Sequence, residues 1–156
     1  MGCTPIFFRE AVRGVQSGCN FHRLVLFFDV PATTPGVWRV LLVDDDPLVS
    51  DSIRRMLEFD QRHVHSVSSA AEALAVCESE KFDIVFLDYL MPVMKGDALA
   101  IVLKDRYPDL PIIMITADAE KFSASESLPQ GVDQLIGKPF QLAALREVFA
   151  NLVLKR

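Results

Sequence analysis

Cysteine is scarce. Cys3, Cys19 and Cys77 are few, unevenly spaced and odd in number, which argues against a disulfide framework or a zinc site and fits a reducing compartment. Positive charge is scarce too. With 16 Lys and Arg against 21 Asp and Glu the net charge is −5, so the chain carries no electrostatic footprint for nucleic acid and no basic stripe for a membrane surface. No apolar run approaches the roughly 18 residues of a membrane span. A secretory signal fits poorly, because no basic residue precedes the first apolar stretch and no small-residue cleavage site follows it. No glycine-rich phosphate loop follows a strand, which weakens a nucleotide-binding reading. We expect a cytoplasmic protein with neither nucleic acid nor membrane among its partners.

What the chain does have is apolar side chain enough for one ordinary core, 51% of its residues with a single Trp. The most informative stretch is FDIVFLDYLMPVMKG, Phe82 to Gly96. Phe82 to Leu87 is an apolar run rich in β-branched and aromatic residues, long enough for a strand and too short for a buried helix. It stops at Asp88. Pro92 and Gly96 then punctuate a loop, and an apolar pattern resumes at helical spacing from about Asp97 to Arg106, with Leu99, Val102 and Leu103 facing inward. In an open parallel sheet, ligands bind beyond the carboxyl ends of the strands, so an acid delivered there is a site candidate. The alternative is an aspartate that merely makes a turn.

Residues 1–37 differ from the rest. Phe7 to Val15 could form a short helix and Leu24 to Val30 a strand, but Pro31, Pro35 and Gly36 close the segment as a linker. Three readings fit: an irregular tail, a start assigned too far upstream, or the last strand of a preceding domain. Residues 38–156 form the expected domain.

From Trp38 the pattern is regular. Trp38 to Val43 is an apolar strand ended by Asp44, Asp45, Asp46 and Pro47, with Asp46 as N-cap and Pro47 at the first helical position. The helix after it shows Leu48, Ser52, Ile53, Met56 and Leu57 at helical spacing. Val64 to Val67 reads as a strand and Ser69 to Glu78 as an Ala-rich helix burying Ala73, Leu74 and Cys77. His63 and His65 alternate on that strand without a third metal ligand nearby, so we read them as surface positions. Pro111 to Ile115 is a strand stopping at Thr116, Ala119 to Leu128 a Ser-rich helix, Val132 to Ile136 the last strand, Lys138 to Phe140 its outgoing loop, and Leu142 to Leu154 the closing helix.

Five strands each followed by a helix require crossover connections, hence a flavodoxin-like doubly wound parallel sheet of five βα units. The expected strand order is 2-1-3-4-5, whose switch point lies between the first and third strands. Asp44, Asp45 and Asp88 meet there, with Thr116 and Lys138 at the ends of the fourth and fifth strands. Three carboxylates packed together repel one another unless a hard cation relieves them, and oxygen ligands suit Mg2+.

LLVDDDP, the aspartate of FLDYLMPVMKG, the ITA of IIMITAD and the KPF of IGKPF, in that order and each at a strand end, resemble the receiver domain of two-component response regulators, of the single-domain chemotaxis-regulator kind. The resemblance covers about Trp38 to Arg156. It implies that Asp45 and Asp88 bind Mg2+ directly together with the backbone carbonyl of Leu90, while Asp44 acts mainly through water. It implies that Asp88 takes a phosphoryl group from a histidine kinase or histidine phosphotransfer protein, with Thr116 and Lys138 on the phosphoryl oxygens, and that Ala117 leaves the approach open. It further implies an output partner read through the fourth helix, fifth strand and fifth helix, and a monomer or weak dimer. Such a domain is a self-phosphorylating acceptor capable of autodephosphorylation, not a turnover enzyme.

Two positions depart from the common pattern. Many receivers carry an aromatic three residues before the lysine, where this chain has Leu135, and the residue two after the acceptor is Leu90. By the resemblance, the residues at Leu90 and Asp118 influence phosphoryl lifetime. The competing class is a Mg2+-dependent phosphohydrolase with an aspartyl nucleophile, but such enzymes usually need a second acid two residues after the nucleophile, and Leu90 cannot serve. A receiver cut from a hybrid histidine kinase and a degenerate receiver used only for interaction are further alternatives. With no output domain in residues 1–37 or after Arg156, we expect action through partners.

Overall fold

The computed structural model describes residues 37–123 and 127–154, all within the compact unit Thr33–Arg156. The N-terminal helix and strand expected at Phe7 to Val15 and Leu24 to Val30 lie outside the described residues. In chain order the elements are β1 (Arg39–Val43), α1 (Pro47–Phe59), β2 (His63–Val67), α2 (Ala70–Ser79), β3 (Ile84–Asp88), α3 (Gly96–Arg106), β4 (Ile112–Thr116), α4 (Ala119–Ser123), β5 (Gln134–Gly137) and α5 (Leu142–Val153). Every ladder is parallel and the order is β2-β1-β3-β4-β5, as expected.

The apolar strands are explained by what covers them. One layer packs Leu41, Val43, Val85, Leu87 and Met114 against α2 and α3, and the other packs Val40, Leu42, Phe86, Ile113 and Ile115 against α1 and α5. Alternate residues of one strand thus feed opposite cores, which is why β3 and β4 are buried along their whole length. Burying a Leu, Ile or Phe side chain is worth about 1.5–3 kcal/mol, and this double layer is the source of the fold's stability.

Local chemistry sets the helix starts. Asp46 accepts hydrogen bonds from the Leu48 and Val49 amides with Pro47 in the first turn, and Ser69 accepts from the Glu72 amide while the Glu72 carboxylate reaches back to the Ser68 amide. The turn into β5 places Gly131 at φ 83, where a Cβ would press on the Ala100 backbone.

The sheet's amino-terminal end is closed by aromatics. Trp38 meets Phe149 edge-on at 5.2 Å, and the Arg62 guanidinium lies 4.2 Å over the Phe149 ring. Arg146 on α5 donates two hydrogen bonds, 2.7 and 2.6 Å, to Asp60 at the end of α1.

Several boundaries differ from expectation. α1 buries Ser50, Ile53 and Leu57, whereas Leu48 is 78% exposed and Ser52 faces out. Leu48 lies five residues before Ile53, well over a quarter-turn off its face, so it projects from the rim. β5 begins at Gln134, because Val132 is buried from the preceding turn, its amide bonded to Pro129. α4 is described only to Ser123; residues 124–126 of the helix expected through Leu128 lie outside the described residues, and Ser127 and Leu128 are not helical. Among the described residues, no helix is long and apolar enough to cross a membrane.

Candidate functional site

Asp44 follows β1, Asp88 closes β3, Thr116 closes β4 and Lys138 follows β5, so four adjacent backbones deliver them to one edge. Asp44, Asp88 and Thr116 are the buried polar residues there, at 3%, 7% and 1% exposure. Burial of this kind is costly unless the groups are paired. They are: the Lys138 ammonium donates to Asp88 Oδ1 at 2.6 Å and to Asp44 Oδ2 at 3.2 Å.

The backbone fixes the remaining oxygens. Asp44 Oδ1 accepts from the Asp46 amide at 2.9 Å, and Asp88 Oδ2 from the Leu90 amide at 2.7 Å. Thr116 Oγ1 accepts from the Asp118 amide at 3.0 Å, which occupies a lone pair and leaves the hydroxyl proton to be donated. The Lys138 amide in turn donates to the Thr116 carbonyl at 2.7 Å, tying the two strand ends together.

Electrostatics follow from this packing. Burial pushes the Asp44 carboxyl above its usual value, against the opposing pull of the Asp46 amide and Lys138. Burial would lower the Lys138 ammonium, but its hydrogen bond to Asp88 and the charges of Asp44 and Asp88 outweigh that and hold it above the ordinary lysine value.

One expected contact is missing. Asp45 sits beside the pair in sequence, but its side chain is exposed, so two carboxylates are packed together rather than three. The cause is strand geometry: consecutive side chains leaving β1 point in opposite directions, and Asp44 takes the inward one. Among the described residues no group of three His, Cys, Asp or Glu side chains forms a ready metal cage. The donor set still fits Mg2+, which keeps several waters and is commonly bound through one or two carboxylates. The oxygens of Asp44 are both engaged, while the Asp45 side chain is exposed and, among the described residues, its oxygens make no hydrogen bond.

Two features of the β3–α3 loop were not read from the sequence. Gly96 begins α3 against the strand end, and a Cβ there would overlap the Asp88 carbonyl oxygen. The motif's closing glycine was the available signal, read only as loop punctuation. Val93 adopts φ 67 with its side chain fully exposed, an unfavourable conformation for a β-branched residue that no sequence pattern announces. Leu90 is 54% exposed beside Asp88, and Leu135 is half-buried against the α2–α3 core layer.

A family model described as the response regulator receiver domain matches residues 40–150. The response regulator MprA of Mycolicibacterium vanbaalenii is 36% identical over 114 residues, 73% of this chain and 48% of that protein. The chain spans about a quarter to a half of the length of the curated relatives it matches. A CheY-like receiver domain protein from Methanospirillum hungatei JF-1 matches with TM-score 0.69 and 32% identity over 77% of this chain and 96% of that one. The response regulator TrrA of Thermotoga maritima, solved in complex with Mg2+ and BeF, matches with TM-score 0.67 and 28% identity over 74% of this chain and 99% of that one.

Proposed function

The chain belongs to the response regulator receiver domain family, and from that premise we propose that Asp88 is its phosphoacceptor, charged by a histidine kinase or a histidine phosphotransfer protein. The observation that carries this is the buried pair Asp44 and Asp88 sharing one ammonium, 2.6 Å from the proposed nucleophile, in a position the core does not require. An oxygen of the Asp88 carboxylate forms the new bond to phosphorus as the bond from phosphorus to the donor imidazole nitrogen breaks, and the electron pair leaves with that nitrogen. Lys138 offsets charge on the phosphoryl oxygens, and the Thr116 hydroxyl, its oxygen already held by the Asp118 amide, donates to one of them. Asp45, Asp88 and the Leu90 carbonyl would hold Mg2+ directly, and Asp44 through water. Bound there, Mg2+ supplies further neutralisation of the transferred group's charge.

Residues 38–156 constitute the acceptor domain in this reading, in the cytoplasm, acting as a stoichiometric acceptor and signalling by conformational change through the surface of α4, β5 and α5. Incubation with phosphoramidate and Mg2+ followed by intact-mass measurement tests it. Wild type should gain one phosphoryl group and Asp88→Asn none. An unchanged wild-type mass, or continued labelling of the variant, would overturn the assignment.

A further inference from the structure

Glycine is a poor helix former, yet α3 begins with a buried one, Gly96. Backbone conformation is not the reason: among the described glycines only Gly131 has a positive φ, so the backbone of Gly96 suits an alanine. Space is the reason. A Cβ on Gly96 would lie 2.3 Å from the Asp88 carbonyl oxygen, 3.1 Å from the Asp88 carbonyl carbon and 3.1 Å from the Tyr89 Cα. All three are main-chain atoms, so no change of rotamer relieves the overlap.

The same approach joins the helix to the acceptor turn. No side chain caps α3, and the Gly96 amide, one of the donors a helix start leaves over, is taken by the Tyr89 carbonyl at 3.0 Å. The Tyr89 amide in turn donates to the Ile115 carbonyl of β4 at 3.1 Å. On the other side, the ladder to β1 stops at Leu87, one residue short of Asp88, whereas β4 pairs Asp88 itself. The main chain carrying the Asp88 carboxylate therefore rests on β4 and on the backbone of α3. That carboxylate is held at both oxygens, Oδ1 by Lys138 at 2.6 Å and Oδ2 by the Leu90 amide at 2.7 Å, so a displaced main chain would disturb both bonds.

We propose that Gly96 is a positioning residue for phosphoryl acceptance: by lacking a side chain it lets the start of α3 seat directly on the Asp88–Tyr89 peptide and fix where the Asp88 carboxylate and the Leu90 carbonyl stand. The inference rests on the reading of Asp88 as the acceptor. Gly96 touches no reacting atom and acts through the peptide it supports. Any side chain there would drive helix and turn apart by most of an ångström, and misplacement on that scale can slow a reaction about a hundredfold.

The test compares Gly96→Ala with Gly131→Ala in the full chain. The second variant strains the same helix from the turn into β5, since its Cβ would come within 2.9 Å of the Ala100 main chain at a positive φ. Urea unfolding gives the folded fraction of each. Per folded molecule at saturating Mg2+, Gly96→Ala should take a phosphoryl group from phosphoramidate at least about tenfold more slowly than wild type, and calorimetry should show weaker Mg2+ binding. Gly131→Ala, whatever stability it loses, should stay within about twofold of wild type in both. Equal losses in the two variants, or none in Gly96→Ala, would overturn this inference and leave the acceptor reading standing, whereas a wild type that takes up no phosphoryl group would overturn both. Should Gly96→Ala fail to fold, amide hydrogen exchange read by NMR on the wild type decides. The Gly96 amide should stay as protected with Mg2+ and beryllium fluoride as without them, and loss of that protection would show α3 parting from the acceptor turn and overturn the inference.

Discussion

The two ends of the parallel sheet are closed by opposite means. At the amino-terminal end, Trp38, Phe149 and Arg62 stack ring on ring and cation on ring, and Arg146 grips Asp60 with two hydrogen bonds. The rings and the Asp60–Arg146 pair gain from folding, against the cost of an Arg62 Nε that is buried without a hydrogen-bond partner among the described residues. At the carboxyl-terminal end two carboxylates are buried against one ammonium, a β-branched residue sits at positive φ, and Leu48 and Leu90 face outward. Desolvating charge and straining backbone cost free energy that the core must offset. Stability is concentrated at one end and chemistry at the other, so substitutions at the two ends should separate the two properties.

The largest expected effect is at the stabilising end. Phe149 is 5% exposed and touches Trp38, Phe86 and the Arg62 guanidinium. Phe149→Ala should cost about 3–5 kcal/mol in urea unfolding, the usual range for emptying a buried aromatic site. Molecules that remain folded should still accept a phosphoryl group at the wild-type rate. A proportionate loss of phosphorylation per folded molecule would break the separation of the two ends.

At the chemical end, the exposed acid should matter more than the buried one for cation affinity. Asp45→Asn should weaken Mg2+ binding about tenfold, and Asp44→Asn by less, because the Asp44 oxygens are already engaged by the Asp46 amide and Lys138. Calorimetric titration with Mg2+ checks this. The reverse order would show that Asp44 trades its present partners for the metal.

The fold was legible in the sequence because a doubly covered parallel sheet writes itself as short apolar runs ending at polar residues, and crossover connections then leave few topologies. Asp44, Asp88, Thr116 and Lys138 were legible as strand-end residues for the same reason. Asp45 was less so. Whether consecutive acids point into or out of a crevice depends on the strand's pleat at its last residue, which composition does not encode. Leu48 misled through a similar ambiguity: an apolar residue in the first turn of an amphipathic helix fits the spacing yet projects from the rim. The φ of Val93 and the close approach of Gly96 to Asp88 are set by how α3 returns onto β3, a tertiary constraint with no local signature.

Strain at the chemical end gives a smaller, opposite prediction. The Val93 side chain is fully exposed, so removing it sacrifices little burial, while glycine accepts φ 67 freely. Val93→Gly should stabilise the fold by about 1 kcal/mol in urea unfolding, net of the entropy glycine adds to the unfolded chain. Destabilisation would mean that the loop's conformation is supported by the valine itself.

The smallest effect is expected at the Asp60–Arg146 pair, where pH separates the pair's contribution from that of the aromatic packing around it. The hydrogen bonds from Arg146 hold the Asp60 carboxyl below its ordinary 3.8. A depressed folded value means that the native state favours the ionised form, so the stabilisation is fully present above the unfolded value and is lost as pH falls through the folded one. Asp60→Asn keeps the side chain's size and forfeits the charge. Its deficit relative to wild type should be about 1 kcal/mol or less near neutrality, as befits a largely solvated pair even with two hydrogen bonds. As pH falls from 3.8 through the lower folded value the two proteins should converge, and once below that folded value both carry a neutral group there. Urea unfolding of both at neutral pH and across the acid range measures this. A deficit that persists unchanged to low pH would assign the role of Asp60 to hydrogen-bond geometry alone, and the closure of that end of the sheet to its aromatic rings.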